Sequence, residues 1–313
     1  MTHGIHHITA IASDAQANFD FYTKTLGLRL VKKTVNQDDT KTYHLFFGDK
    51  LGHAGMDLTF FIFLPSQQGK RGNGLVTKIS LAVPADSLEF WKKRFETLEV
   101  KHEVITERFG LKRLVFYDSD DQQLELVGVD KQDLDPEANI WTTDEIKADH
   151  AIRHFHSASL SVHHLGLIDF VLTEVFGYKK EANDANNTLF KLATGKRAVY
   201  LEVIDDMAAN FGMNTAGTVH HIAFRATDES MQAEMKAKVL KLGIAATEVI
   251  DRFYFKSVYF RTPAGILFEI ATDEPGFTAD ESEAELGKHL ALPPFLENHR
   301  AQIEAELTPI NQA

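Results

Sequence analysis

Two stretches of the sequence each place a pair of adjacent histidines near the start of a strand-like run. The first pair is His6 and His7, and the second pair is His220 and His221. Each pair precedes an isoleucine and a run with the alternation typical of a β-strand. Imidazole is the side chain that most often binds metals in proteins. We therefore interpret the two stretches as copies of one strand that each bring a metal-ligand candidate into a shared site.

A carboxylate in an apolar strand is the third candidate. Glu269 is the only charged residue in residues 265–271, and an ionised carboxylate among apolar neighbours is costly unless it is paired or bound to a metal. The chain contains four copies of one unit, described below. The positions equivalent to Glu269 on the last strand of the other copies are predicted at Glu125, at Glu202 and at either Phe60 or Phe61. The positions equivalent to His7 on the first strand of the other copies are predicted at Lys78, His156 and His221.

The elements that position these residues repeat four times. Each repeat reads as a strand, a helix and three further strands, a unit of about 60 residues whose recurrence decides the fold class. The prediction is an α+β fold of four βαβββ modules. We predict one domain of modules one and two at residues 4–130 and another of modules three and four at 151–277. A helical tail follows at 278–313, with one packing helix predicted over Leu296–Leu307.

The composition excludes several classes of function. The chain has 313 residues, a formal net charge of −12 and no cysteine. This charge disfavours nucleic acids and anionic membranes as partners. The absence of cysteine excludes disulfides, thiolate metal sites and a cysteine nucleophile. No apolar run approaches the length of a membrane span, and no signal region opens the sequence, so we predict a cytoplasmic protein.

The repeat resembles the vicinal oxygen chelate superfamily, which includes glyoxalase, bleomycin-resistance and extradiol dioxygenase folds. The resemblance covers residue 4 to about residue 277. It implies that paired modules form cup-shaped mixed sheets around one metal, with ligands from the first and last strands. Pairing of modules one and two would give only His7 and Glu125, with Lys78 at a ligand position. Pairing of modules three and four would give a four-ligand site like that of glyoxalase I, at His156, Glu202, His221 and Glu269.

Pairing of modules one and four would give a different ligand set. His7, His221 and Glu269 would converge, with an aromatic residue in the fourth place. Two histidines and one carboxylate with open positions form the facial triad typical of non-haem Fe(II) oxygenases. The likeness of the two His-His-Ile stretches favours this pairing. Because neighbouring strand residues face opposite sides, His6 and His7 can both approach the cup only if a bulge or twist intervenes.

The flanking residues resemble a narrower family, the hydroquinone ring-cleaving dioxygenases, including chlorinated-hydroquinone 1,2-dioxygenases. The matching stretches are residues 4–9, 28–36, 43–45, 217–225, 251–260 and 265–273. The resemblance implies that Fe(II), or Mn(II) in its place, binds His7, His221 and Glu269. It also implies a small aromatic substrate and O2 as reactants. The implied second-sphere or substrate-contacting residues are His6, Thr9, His220, Arg252 and Tyr259.

Two other functions compete with the dioxygenase hypothesis. One is a glyoxalase-type isomerase or thiol transferase that uses the site of modules three and four and leaves His7 outside it. The other is a metal-free sequestering protein of the bleomycin-resistance kind. The sequence does not specify the oligomeric state, although the C-terminal helix could pack on a second copy of the chain.

Overall fold

The computed structural model describes residues 2–64, 66–136 and 139–312, so residues 137 and 138, between the two predicted domains, and the last residue of the predicted tail lie outside the described residues. The predicted fold class is confirmed: the strands form four successive modules in the order strand, helical segment, three strands. Among the helices described, none is long and apolar enough to cross a membrane.

The bounds of the elements follow module by module. Module one contains β1 (Ile5–Ala12), α1 (Ala15–Asp20), β2 (Arg29–Asn36), β3 (Asp39–Gly48) and β4 (Asp57–Ile62). Module two contains β5 (Leu75–Pro84), α2 (Leu88–Thr97), β6 (Thr106–Arg108), β7 (Leu111–Tyr117) and β8 (Gln123–Val129). Module three contains β9 (His154–Val162), β10 (Lys179–Asp184), β11 (Asn187–Lys191) and β12 (Tyr200–Asp205). Module four contains β13 (Thr218–Ala226), α3 (Glu229–Lys241), β14 (Ile250–Asp251), β15 (Lys256–Arg261) and β16 (Leu267–Thr272).

The helical segments differ in regularity. Asp14 caps α1, and Asp228 caps α3, each by accepting a backbone N–H with its side chain, which satisfies one of the free amide groups of the first turn. The helix predicted in module three is replaced by a 3-10 turn at Leu165–Leu167 and a π-helical turn at Val171–Phe176. Gly177 ends the latter with φ 81°, a left-handed conformation that glycine adopts without strain.

Two eight-stranded sheets divide the modules differently from the predicted domains. One sheet has the order β14-β15-β16-β13-β1-β4-β3-β2, and the other has the order β10-β11-β12-β9-β5-β8-β7-β6. Module one therefore pairs with module four, and module two pairs with module three. Each of the segments 4–130 and 151–277 contributes half of each sheet. The correction has a topological reason, since the first strands join in antiparallel pairs between β1 and β13 and between β5 and β9.

A pair of β-bulges marks the seam between β1 and β13. Ile5 lies opposite Phe224, but His7 already lies opposite Ala223, so His6 is an extra residue. Farther along, the partner of Thr9 is His221 and that of Ala10 is Val219, which leaves His220 as the extra residue of β13. A bulge inserts one residue and changes which face the following side chains occupy. One bulge therefore lies beside His7, which is the irregularity that lets both His6 and His7 approach the cup, and its symmetric counterpart precedes His221.

The side chains that alternate with the cup-facing residues form the main core. Ile8 and Ala10 of β1 and Ile222 and Phe224 of β13 are fully buried. Phe224 stacks on Phe176 of module three with the ring centroids 4.0 Å apart. Burial of these aliphatic and aromatic groups fixes the register of the seam, because a slip by one residue would turn them toward the cup and turn the histidines into the apolar core.

The C-terminal tail packs on its own chain. It contains 3-10 turns at Phe277–Ala279 and Glu297–His299 and the helix α4 (Arg300–Glu306). The regular helix is therefore shorter than the predicted one. Ile303 and Leu307 are buried against the core, so the apolar side of this helix is covered within one chain.

A buried acid in module two gives a pH-dependent contribution to stability. Asp118 accepts a hydrogen bond from the Tyr22 hydroxyl at 2.9 Å, and burial raises its pKa from 3.8 to about 7. Because the folded-state pKa exceeds the unfolded one, the contribution is complete below about pH 4 and is lost as the pH rises through about 7. We expect Asp118→Asn, which cannot ionise, to reduce the fall in unfolding free energy over this range by up to about 4 kcal/mol.

Urea unfolding of the metal-free protein at a series of pH values measures this slope. The exposed Asp86→Asn is the matched control and should retain the wild-type slope. A wild-type slope in Asp118→Asn would contradict the assignment.

Candidate active site

Three predicted ligand residues meet in the cup of the first sheet. His7 lies on β1, His221 on β13 and Glu269 on β16, and all three are buried. Nε2 of His7 and Nε2 of His221 are 3.2 Å apart. Glu269 Oε2 lies 3.2 Å from His7 Nε2 and 2.9 Å from His221 Nε2. The three atoms thus form one compact group of potential metal ligands.

The two bulge histidines contact the inner histidines in the same way. Nδ1 of His6 lies 2.9 Å from Nδ1 of His7, and Nδ1 of His220 lies 2.8 Å from Nδ1 of His221. If each inner ring donates its Nδ1–H, its Nε2 lone pair is free to face Glu269. Such hydrogen bonds fix the tautomer and the orientation of a metal-binding imidazole. The repeated His-His pair therefore provides one inner ring and one ring that orients it.

The Glu269 carboxylate accepts a hydrogen bond on one oxygen, and its other oxygen faces the two histidines. Ser257 donates its hydroxyl to Glu269 Oε1 at 2.5 Å. Among the described residues, Glu269 Oε2 has no hydrogen bond of normal geometry. Burial opposes ionisation, but the neighbouring imidazoles of His7 and His221 outweigh it and hold the pKa of Glu269 well below its usual range. Burial also lowers the pKa of His221, which favours the neutral imidazole that a metal requires.

This donor set passes a simple test of fit to a divalent cation. One anionic oxygen without a hydrogen bond and two imidazole nitrogens point at one another in a buried position. Without a cation, the two nitrogen lone pairs and the carboxylate oxygen would be poorly satisfied there. Three protein ligands from strands would leave positions open for other ligands, as in catalytic rather than structural metal sites.

An apolar cavity opens directly above this group. Its volume is about 350 Å³, and His7, His220 and His221 line its floor. Its aromatic and aliphatic wall consists of Phe46, Phe61, Phe63, Tyr254, Phe255, Tyr259 and Leu267. Its polar lining groups include Thr34, Asn36, Gln37, Asp38, His44, Thr247 and Arg252. A small pocket with a largely aromatic wall and polar groups at several points of its lining is suited to a flat ring that carries polar substituents.

Arg252 and Tyr259 both reach this cavity, as predicted. The guanidinium of Arg252 lies 5.6 Å from the ring centroid of Tyr259. It also forms two hydrogen bonds with the carboxylate of Asp38, at 2.8 and 3.2 Å. Burial, together with the nearby Glu269, raises the pKa of Tyr259. Its phenol therefore stays protonated near neutral pH and can donate a hydrogen bond.

Thr9 lies beside the site, and its hydroxyl oxygen accepts a hydrogen bond from the neighbouring strand. Thr59 of β4 donates to Thr9 Oγ1 at 2.8 Å, and His44 Nε2 is 2.8 Å from Thr59 Oγ1. Thr59 lies opposite Thr9 in the way that Glu125 lies opposite Ser80 in module two. The fourth ligand position is therefore occupied by Thr59, and the prediction of Phe60 or Phe61 there was wrong by one or two residues.

The second sheet has the same bulges but different residues. Thr77 and His156 are its extra residues, so His156 corresponds to His220, and Ser157 corresponds to His221. The prediction that His156 occupies the inner position was wrong by one residue. Its ring stacks on Tyr200 with the centroids 4.9 Å apart.

A buried ion-pair cluster occupies the corresponding position of the second sheet. Lys78 Nζ lies 2.8 Å from Glu125, and Arg113 Nη1 lies 2.8 Å from Glu125 and 2.5 Å from Glu202. Arg108 adds a contact with Glu202 at 2.8 Å. Lys78 therefore pairs with Glu125, and Glu202 is neutralised by arginines. Because modules three and four lie in different sheets, the alternative four-ligand site is not assembled.

Two further features near the site had no clear signal in the sequence. Asp57 lies opposite His7 on β4, and its ligand atoms together with those of His6 and His7 lie within 4.8 Å of one another. Burial, with Asp49 and Glu269 nearby, raises its pKa well above the ordinary value, so its carboxyl group tends to be neutral. Beyond His6 lies a larger polar cavity of about 590 Å³.

Comparison with known proteins agrees with this architecture. Residues 4–60 match the model of the Glyoxalase/Bleomycin resistance protein/Dioxygenase superfamily. A solved structure from Bacillus subtilis described as a dioxygenase superposes with a TM-score of 0.94 at 40% identity, covering 100% of this chain and 98% of that one. Maize glyoxalase I, at 15% identity and a TM-score of 0.64, covers 86% of this chain and 92% of its own, and shows the fold alone.

Curated relatives extend over nearly the whole chain. MhqE of Bacillus subtilis, named as a ring-cleaving dioxygenase, is 43% identical and covers 96% of this chain and 97% of its own. A protein of Sphingobium indicum named chlorohydroquinone/hydroquinone 1,2-dioxygenase is 34% identical, and the match covers 96% of this chain and 94% of that protein. The chain therefore belongs to the ring-cleaving dioxygenase family of this superfamily. It is an enzyme, a dioxygenase that opens an aromatic ring.

Replacing the inner histidine tests the metal assignment directly. We expect His7→Ala to weaken Fe(II) or Mn(II) binding by more than about 100-fold, since loss of an orienting partner alone typically costs about 10- to 100-fold. His6→Ala and His220→Ala, which remove only the orienting rings, should weaken metal binding by about 10- to 100-fold. Equilibrium dialysis with metal analysis measures the affinity. His156→Ala, at the matched bulge of the second sheet, should bind metal like the wild type, and the reverse pattern would refute the site.

Replacing a cation of the second sheet tests the charge balance there. Arg113→Met leaves Glu125 and Glu202 short of a positive partner in a buried position. We expect it to destabilise the protein by about 3–5 kcal/mol. The metal affinity of the folded fraction should remain unchanged, because the two cups share none of these side chains. Denaturant unfolding and metal titration report the two quantities, and a stability equal to wild type would argue against the cluster.

Proposed function

We propose that the protein is an Fe(II)-dependent, extradiol-type dioxygenase that opens the ring of hydroquinone-like, 1,4-dihydroxylated aromatic compounds with O2. Mn(II) is the alternative metal. The single observation that supports this most directly is the convergence of His7, His221 and Glu269 beneath an apolar cavity. The name of the relative from Sphingobium indicum supports the substrate class.

The three ligand residues would hold the metal, and the remaining lining residues would hold the substrate. When bound, Fe(II) supplies open positions at which a phenolic oxygen and O2 can be brought together and electrons can pass between them. The phenylalanine side chains of the wall would keep the ring flat against the cavity and exclude water. A 1,4-diol can reach a metal through only one of its oxygens, so the wall has to fix the direction in which the ring lies.

Polar groups of the cavity would orient the substrate oxygens. Tyr259 remains a hydrogen-bond donor because burial raises the pKa of its phenol. The Arg252 guanidinium, held by Asp38, can stabilise negative charge that develops on the ring oxygen. His220 lines the cavity while its Nδ1 contacts His221, so its other ring nitrogen is available to a bound phenol.

The reaction can be tested with protein purified and loaded with Fe(II) under argon. After addition of hydroquinone and air, we expect consumption of one O2 per ring and a ring-opened chromophore. With ¹⁸O2, both labelled atoms should appear in the product. His7→Ala should lose the activity, and His156→Ala should keep it. Conversion of the ring without O2 uptake, or full activity in His7→Ala, would exclude the proposed reaction.

A further inference from the structure

The C-terminal segment forms an outer layer behind the substrate cavity. Phe277 and Leu286 are buried in a small apolar cluster with Phe46, Tyr254 and Phe255. The latter three residues line the cavity. The ring of Phe277 lies 5.0 Å from that of Phe46 and 5.4 Å from that of Tyr254. Residues that follow the last ligand strand thus support part of the cavity wall.

A buried lysine attaches this segment to the sheet. The side chain of Lys32 on β2 is fully buried, and its Nζ lies 2.7 Å from Asp280 Oδ1 and also contacts the carboxylate of Glu281. Both acids belong to the C-terminal segment. A lysine is rarely buried unless it is paired, and removal of the partners of a buried charge is strongly destabilising. The segment therefore cannot leave the sheet without exposing or unpairing Lys32.

Tyr254 connects this ion pair to the cavity. Its hydroxyl donates to Asp280 Oδ2 at 2.8 Å, while Lys32 Nζ lies 4.7 Å from the centroid of its ring. Its backbone carbonyl accepts the N–H of Gly276 at 2.9 Å. Asp280 thus holds the hydroxyl of Tyr254 and Lys32 lies against its ring, while Tyr254 itself lines the cavity.

The loop that contains Tyr254 depends on such support. The preceding residue, Phe253, has φ 71°, a left-handed conformation that is unfavourable for a bulky residue unless tertiary contacts enforce it. On the other side of the loop, Arg252 N–H donates to Phe255 O at 3.0 Å. A shift of Tyr254 would therefore also move Phe255 and Arg252, which line the same cavity.

We propose that Asp280 and Lys32 are positioning residues that fix the ring of Tyr254 as a rigid wall and thereby limit the size of the ring substituents that the cavity accepts. The inference rests on the proposed function for the kind of ring that is bound. Asp280 and Lys32 touch no substrate themselves. Their effect on the reaction passes through Tyr254.

Binding measured without O2 separates this inference from the reaction. Fe(II)-loaded protein is titrated calorimetrically under argon with hydroquinone and with 2,6-dimethylhydroquinone. We expect Tyr254→Phe and Asp280→Asn, which keep the shapes of the side chains, to lower the ratio of the Kd of the dimethyl compound to that of hydroquinone roughly fivefold. This is the order of effect that the net contribution of one hydrogen bond gives.

Steady-state kinetics supply the second measurement. In Asp280→Asn, the ratio of the two KM values should move in the same direction, whereas kcat for hydroquinone should stay within about twofold. Asp280→Glu should restore the wild-type ratio at least in part. Glu283→Gln, an exposed acid of the same segment, is the matched control and should leave the ratio unchanged.

The outcomes distinguish the two proposals. An unchanged ratio in both Tyr254→Phe and Asp280→Asn, or an equal change in Glu283→Gln, would overturn the positioning role. Binding of both rings without O2 uptake would overturn the proposed reaction and still leave the ratio of Kd values to decide the positioning role. Failure of the wild type to bind either ring would overturn both.

Discussion

The antiparallel pairing of β1 with β13 is the contact on which the site depends. It joins the first strand of module one to the first strand of module four and places one bulge on each strand. Without the bulges, the alternation of a regular strand would direct the two rings of each histidine pair to opposite faces. With them, each inner ring reaches Glu269 and each outer ring reaches the Nδ1 of its neighbour. Backbone irregularity therefore positions both the candidate ligands and the rings that orient them.

The two sheets share this geometry but differ in the side chains that surround their buried carboxylates. In the second sheet, Glu125 and Glu202 remain buried because Lys78 and Arg113 neutralise them. In the first sheet, the equivalent surroundings of Glu269 contain two imidazoles and a serine hydroxyl. A carboxylate among imidazoles and a hydroxyl has capacity for a cation, whereas a carboxylate among arginines does not. The identity of a few side chains at matched positions thus separates the candidate metal site from the ion-pair cluster.

The sequence alone predicted the modules and the three converging residues, because strand alternation and the repeated His-His-Ile pattern are local signals. It did not predict the register, since nothing local marks where a bulge inserts a residue. His156 was therefore assigned to the inner position that Ser157 occupies, and Phe60 or Phe61 was assigned to the fourth ligand position that Thr59 occupies. The pairing of modules into sheets was also ambiguous, because either pairing buries the same apolar faces. Lys32 has no motif, and its role depends entirely on acids at the other end of the chain.

The order of the modules along the chain has a consequence for when the site forms. His7 and His221 are separated by 214 residues, and Glu269 follows later still. Contacts between such distant residues form only after the entropy of closing a long loop has been lost. The cup needs strands from both module one and module four, so it cannot form until the fourth module is present. The residues 276–286 that support the cavity wall come later again. A metal that bound only the assembled cup would then stabilise the folded chain by mass action, because its candidate ligands His7, His221 and Glu269 lie on the first and the fourth modules. Metal binding and complete folding are in this way linked by topology.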